Sequence, residues 1–220
     1  MKALLCLLAA PLLYAQQESL RYSINWPSGL SLGEATLTGT ATPGGGNFNL
    51  TLEALVPGFP IRDEYASKTG PQFCSTQFTK TSLHGTRKTS ETSEFDASRS
   101  VVVRQTEKGG KSEIPFAGPC PKDALAFLFF LREELKAGRL PGSQTIYFGA
   151  AYQLRLQYAG ADSINLGGKR EECDRLSATV KGPASEVAFQ ILLGRDPART
   201  PLAVRVPFAM GTFAMELMRE

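Results

Sequence analysis

Apolar and polar residues alternate with a period of two along most of this 220-residue chain, and that rhythm limits the fold more than any other feature. Leu20, Tyr22, Ile24 and Trp26 share one side of a stretch whose other side is Arg21, Ser23 and Asn25. Ala35, Leu37, Gly39 and Ala41 lie opposite Glu34, Thr36, Thr38 and Thr40. Phe48, Leu50, Leu52 and Ala54 repeat the pattern, and so do Tyr152, Leu154, Leu156 and Tyr158. Successive side chains of a strand point to opposite faces, so each segment predicts a strand with one buried face. The turn sequences PSG at 27–29 and PGGG at 43–46 separate the first three strands, and GRDPARTP at 194–201 separates VAFQILL from LAVRV in a C-terminal hairpin. Residues 75–100 differ: Ser, Thr and charge occupy both strand faces, which predicts a solvated part of the sheet or an open wet face.

One segment breaks the alternation. DALAFLFFLREELKAG, residues 123–138, is apolar all the way round over Ala124, Leu125, Phe127, Leu128, Phe129, Phe130 and Leu131. Pro121 and Asp123 suit a helix start, and Lys136 and Gly138 suit its stop. Sixteen helical residues reach only about 24 Å, and Arg132-Glu133-Glu134 interrupts the apolar part, so the segment does not span a membrane. A helix without a polar stripe must be buried on most sides. The expected fold is therefore mainly β: a strongly curved antiparallel sheet, a half-barrel or incomplete barrel, with one main α-helix packed in its concavity.

MKALLCLLAAPLLYA, residues 1–15, reads as a cleaved secretory signal: Lys2, a short apolar run, and small Ala15 at the cut. Its removal leaves one domain over residues 16–220, long enough for a sizeable core. The formal charge of +3 loses only Lys2, and the basic run HGTRK at 84–88 is followed at once by TSETSEFD. Nucleic-acid binding needs a basic face, and none is visible. No second apolar run is long enough to cross a bilayer. Export to an oxidising compartment makes disulfides the default for cysteines. Cys74, Cys120 and Cys173 allow three pairings. Cys173 shares a strand face with polar Arg175, Ser177 and Thr179, away from Leu176, Ala178 and Val180, whereas Cys74 and Cys120 adjoin proline-containing connections.

Chemistry-bearing patterns are sparse. His84 is the only histidine, in SLHGT, which reads as a strand end or turn, and no GxSxG elbow accompanies it. The cysteines and His84 lack the spacing of a metal site, and no phosphate-binding glycine motif occurs, so no metal or cofactor is expected. The adjacent pairs Glu133-Glu134 and Glu171-Glu172 diverge on either kind of element, and Asp196 before Pro197 reads as a turn residue. What remains is aromatic: Phe127 and Phe130 of the helix, with Tyr152 and Trp26 of the strands, are the candidate lining of a hydrophobic ligand site, and they serve equally as core filling.

The DALAFLFFLR helix after a cysteine-proline loop, the strand pair IYFGAAYQLRLQYAG at 146–160, the hairpin RDPARTPLAVRVPFAMGTFAMEL at 195–217 and the opening strand LRYSINWPSGLSLGEATL occur in an order that resembles the bacterial exported domain-of-unknown-function family 3108. The resemblance implies a periplasmic curved sheet around one helix, similar to the lipoprotein-carrier and lipoprotein-receptor half-barrels. It carries no activity and no functional residues. Cys74 and Cys120 match cysteines of one branch of that family, which together with the strand phase points to a Cys74–Cys120 disulfide and leaves Cys173 as an accessible free thiol. The expectation is a monomeric, non-enzymatic periplasmic protein binding a lipid or lipidated protein in its concave face. The competing expectation is an envelope interaction protein with a solid core.

Overall fold

The computed structural model describes residues 16–56, 59–209 and 211–219. Residues 1–15, where the export signal is expected, lie outside that range. The strands β1 (Gln16–Asn25), β2 (Ser31–Thr42), β3 (Gly45–Val56) and β4 (Phe59–Thr69) begin an antiparallel meander. It continues through β5 (Ser75–His84), β6 (Arg87–Asp96), β7 (Val101–Thr106) and β8 (Lys111–Pro115). The chain then crosses to the far edge of the same sheet, where the two-residue β9 (Lys122–Asp123) runs into the helix α1 (Ala124–Lys136). From that edge β10 (Gln144–Tyr147), β11 (Ala151–Leu166), β12 (Lys169–Lys181), β13 (Glu186–Gly194), β14 (Pro201–Phe208) and β15 (Gly211–Leu217) return inward. β15 pairs with β1, Tyr22 opposite Leu217, so the two ends of the chain meet in the middle of one fifteen-stranded sheet. Every pair is antiparallel except β9 with β10, and the sheet is not closed: β8 and β9 are its edges.

Two ends of the strand order are nevertheless brought together. Ser75 N donates to Pro121 O at 2.9 Å, and the Tyr147 ring lies 5.9 Å from Phe95 and 6.3 Å from Phe116. The Cys74–Cys120 disulfide joins the β4–β5 connection to the segment entering β9. In the chain-entropy model a loop of 46 residues closed in this way stabilises the fold by about 4 kcal/mol. The sheet is thus rolled around α1, and the edge strand β8 carries Lys111, Glu113 and Pro115, residues that discourage pairing with another chain.

The alternation in the sequence is the register of the sheet. Tyr22, Ala35 and Leu52 are successive partners across β1, β2 and β3, as are Leu20, Leu37 and Leu50, and all face α1. The same side of β4–β7 carries Asp63 and Ser82 as partners, then Lys80, Glu91 and Thr106, with Ser93 opposite Arg104. This is the wet stretch at 75–100, and it lies on the inner face.

Cys173 corrects one expectation. It is unbridged, but it is 0% exposed, packed with Leu192, Ile164 and Leu166. The register of β12 against β13 runs unbroken from Cys173 opposite Gly194 to Lys181 opposite Glu186, so by alternation Cys173 and Leu176 project to opposite faces. Both are fully buried. The alternation holds, and the second face is covered by the protein and not by solvent. A bulge between Tyr158 and Ala161 and another at Leu192/Leu193 change the phase of β11 and β14 against their neighbours, and apolar Ile164, Leu166 and Leu192 cover that face. Burial also pushes the Cys173 thiol up, away from the reactive thiolate form, with Asp162 adding to the shift.

Candidate ligand site above the helix

Four fixed points hold α1 at one end of the roll. Asp123 caps it: Oδ1 accepts from Leu125 N at 2.9 Å and Ala126 N at 3.0 Å. Oδ2 accepts from the hydroxyls of Ser67 on β4 and Ser75 on β5, each at 2.6 Å, and Asp123 N donates to Ser75 Oγ at 2.8 Å. Burial raises the Asp123 carboxyl above the usual carboxylate range, against the pull of those four donors. At the other end of the helix Arg132 donates to both carboxylate oxygens of Glu18 at 2.6 and 2.8 Å, and to Ala198 O at 3.1 Å. Arg132 therefore pairs with β1, while Asp196 stays in its own turn and accepts from Thr200 N at 2.9 Å.

The helix has two buried stripes. Leu125 and Phe129 pack on the β2–β5 wall, Phe129 stacked on Phe48 with centroids 4.0 Å apart. Phe127 and Leu131 pack on the β10–β13 wall with Ile146, Leu154, Leu156, Leu176 and Ile191. Leu128 lies between the stripes and is only half-buried. At the foot of the helix a cleft beside Arg132 has a volume of about 50 Å³, far below the ~300 Å³ at which small-molecule sites begin. That end is closed.

The inner face continues past the helix, and there it is not fully packed. Ile24, Met215 and Val204 are partners in adjacent strands, Phe213 and Val206 form the next pair outward, and Leu50 and Leu52 stand on the same face of β3 in the rows of Leu20 and Tyr22. All seven are inward-facing, apolar and half-buried, although they lie within strands of a sheet that has its core on this side. The facing wall is polar. His84 Nε2 lies 2.9 Å from Asp63 Oδ1, Arg104 Nε donates to Glu91 Oε2 at 2.8 Å, and Lys80 sits 4.6 Å over the Phe148 ring. Phe148, from the β10–β11 turn, also contacts Tyr65 and Phe78, and burial followed by the charge of Asp63 pushes the Tyr65 hydroxyl far up. Beyond α1 the inner face is thus apolar on β1, β3, β14 and β15 and polar on β4–β7.

The four sequence-derived candidates divide. Phe127, Phe130 and Tyr152 come together in one cluster, but Phe127 is buried core, and Phe130 lies on the flank of α1 away from Leu128 with Lys122 Nζ 4.4 Å from its ring. Burial lowers the Lys122 ammonium, which also donates to Cys120 O at 3.3 Å. Tyr152 is half-buried on the apolar wall. Trp26 is not with them: it packs edge-on against Phe213, 4.7 Å away, at the opposite end of the roll from α1. Sequence reasoning did not single out Leu52, Val204 and Met215, half-buried on the inner face. Their alternation was visible, but nothing in a strand pattern tells a filled interior from an open one. His84 has its carboxylate, Asp63, yet among the described residues no serine bonds to His84, and Ser82 Oγ is buried without a hydrogen-bond partner.

Among the described residues no helix is long and apolar enough to cross a membrane, and no group of His, Cys, Asp and Glu could hold a metal. A barrel-like protein of the domain of unknown function DUF1849 from Brucella abortus has a similar solved structure, with a TM-score of 0.61 at 7% identity over 93% of this chain and 96% of that one. That likeness concerns the fold. Comparison with functionally curated proteins gives no match. The model of the protein family of unknown function DUF3108 matches residues 21–218, nearly the whole rolled sheet from β1 to β15, and the chain belongs to that family.

Proposed function

We propose that this is a non-enzymatic periplasmic protein, cleaved after Ala15 and monomeric, that holds a hydrophobic or amphiphilic guest in the lumen above α1. A lipid or the lipid of a lipidated protein fits the chemistry. The observation that carries this reading is the row Ile24, Met215, Val204 with Leu50 and Leu52: apolar side chains inside strands, facing the concavity, still reached by solvent. Core side chains in the same strands, such as Tyr22 and Phe48, are 1% and 0% exposed, so the opening is local. An apolar wall facing a polar one suits a molecule with an acyl part and a headgroup. The disulfide agrees with an oxidising compartment. The test is native mass spectrometry of the exported protein after gentle purification, alongside Leu52→Trp, which fills the lumen. A stoichiometric lipid adduct present in the wild type and absent from Leu52→Trp is the expected result. A clean apo mass after incubation with envelope lipids refutes the reading.

A second reading has one observation of its own. The outer face of β4–β8 carries a wide open groove of about 610 Å³ lined by Lys68, Gln77, Glu94 and Lys111. It is polar and would suit a protein partner on the middle strands, the role of an envelope interaction protein.

A further inference from the structure

The end of the roll opposite α1 has its own composition. The helix lies near the start of β1 (Glu18), the start of β3 (Phe48) and the start of β5 (Ser75), so the other end is where β1, β3, β5, β7 and β14 finish. On that end stand Leu30 at 66% exposed, Leu55 at 65%, Phe208 at 58% and Phe59 at 46%. They are not scattered. Phe208 packs on Phe213 with centroids 5.3 Å apart, Phe213 packs on Trp26, and the turn holding Leu30 begins at Trp26. These hairpins are neighbours in the strand order, so the exposed side chains form a rim around the mouth of the lumen.

The charge at this end is basic. Arg87, Lys88, Lys108 and Lys111 stand in or beside its turns, against Glu107. Arg87 and Lys88 follow Gly85, whose turn is covered by the Phe59 ring and bonded to Pro60 O. The apolar and basic groups are therefore adjacent. Large apolar side chains, an interfacial tryptophan and flanking Lys and Arg are what a protein needs to lie on an anionic bilayer: the apolar groups enter the headgroup boundary, and the cations meet the phosphates.

We infer that the open end of the barrel docks on an anionic lipid surface, with Leu30, Leu55, Phe59 and Phe208 inserted and Arg87 and Lys88 against the headgroups. This goes beyond the lumen reading and stands without it, because the rim touches the bilayer whether or not the lumen is filled. It places the mouth where a lipid could pass between lumen and membrane without crossing water.

The test is sedimentation of the purified exported protein with vesicles of phosphatidylglycerol and phosphatidylethanolamine, and with vesicles of phosphatidylcholine alone. Binding to the anionic vesicles is expected, with a blue shift of Trp26 emission and a several-fold loss between about 50 and about 500 mM salt. Leu30→Asp/Leu55→Asp/Phe208→Asp should weaken it by at least about tenfold, while keeping the wild-type melting temperature, since all three side chains are exposed. Arg87→Glu/Lys88→Glu, which leaves the apolar rim intact, should weaken binding to anionic vesicles alone. Failure of the wild type to bind anionic vesicles overturns the inference, and so does equal binding by the triple variant, which would place the contact on another face. The lumen variant Leu52→Trp should still sediment with vesicles, so loss of guest and loss of docking are read separately.

Discussion

At the scale of single residues, Asp123 ties the helix to the sheet. It accepts from two backbone amides of α1 and from two serines on β4 and β5, so one carboxylate fixes the helix to the opposite wall of the roll. Replacing it with Ala removes a helix cap and leaves buried hydroxyls and amides unpaired, a combined loss of about 3 kcal/mol, to be measured by denaturant unfolding of the oxidised protein. Asn keeps the acceptor for the amides and should cost less. The two variants also separate in pH dependence. Burial raises the folded-state value of Asp123 above the ordinary carboxylate range, so the folded state binds this proton more readily than the unfolded chain. Its contribution to stability is full below the ordinary value, near pH 4, and is lost as pH rises through the raised folded value. The Asp123→Asn protein should lack that part of the pH slope. If wild type and Asn variant show parallel slopes across the acidic range, Asp123 does not titrate there. The sequence marked Asp123 as a helix start, a role it fills; the two serines that complete the site are 48 and 56 positions away and have no local signal.

At the scale of elements, the helix and the strand glycine opposite it were shaped together. Gly39 sits on the inner face of β2, where a Cβ would lie 2.7 Å from the Phe129 ring and 3.2 Å from Phe48. The two rings are stacked, so neither can retreat without moving the other. Ala has the better strand propensity, yet Gly39→Ala should destabilise by about 1–3 kcal/mol through overpacking. Thermal unfolding checks the sign: a stabilised variant would mean that α1 shifts freely on the sheet. The strand segments were legible wherever one face was apolar, as at 20–26, 48–54 and 152–158, because a half-buried strand writes its orientation into the chain. The helix was legible for the opposite reason, the absence of any polar stripe. β11 and β12 were harder. The bulge at Tyr158/Ala161 changes the pairing phase within a continuous strand, and the second covered face hides Cys173 behind residues such as Leu192, distant in sequence. Trp26 and Tyr152 are alike only in residue type: the topology puts Trp26 on Phe213 and Tyr152 in the cluster of Phe127 and Phe130.

At the scale of the whole molecule, the strand order is the property the sequence concealed most completely. Local alternation says that strands exist and which hairpins are adjacent. It does not say that β15 returns to β1, a pairing across almost the full length of the chain. That closure makes the fold an all-or-none structure. β15 is the ninth strand in the order, with eight strands from β8 to β1 on one side and six from β14 to β9 on the other. Without it, β1 and β14 each become an open edge in the middle of the core. Tyr22 loses Leu217, and Val204 loses Met215. The two half-sheets are then held by α1, the disulfide, the contacts of the β9–β10 edge and the Tyr22 hydroxyl on Pro201 O. Each half keeps most of its own hydrogen bonds, so secondary structure alone is a poor reporter of the damage. What disappears is the shared interior, which both walls must form together with the helix. A chain ending before Gly211 should therefore retain strand signal in the far ultraviolet, lose the near-ultraviolet signal of packed aromatics, and unfold on heating without a cooperative transition. A sharp transition in that truncated chain would show instead that each half-sheet is stable alone, and that the roll is two domains joined at β1 and β15.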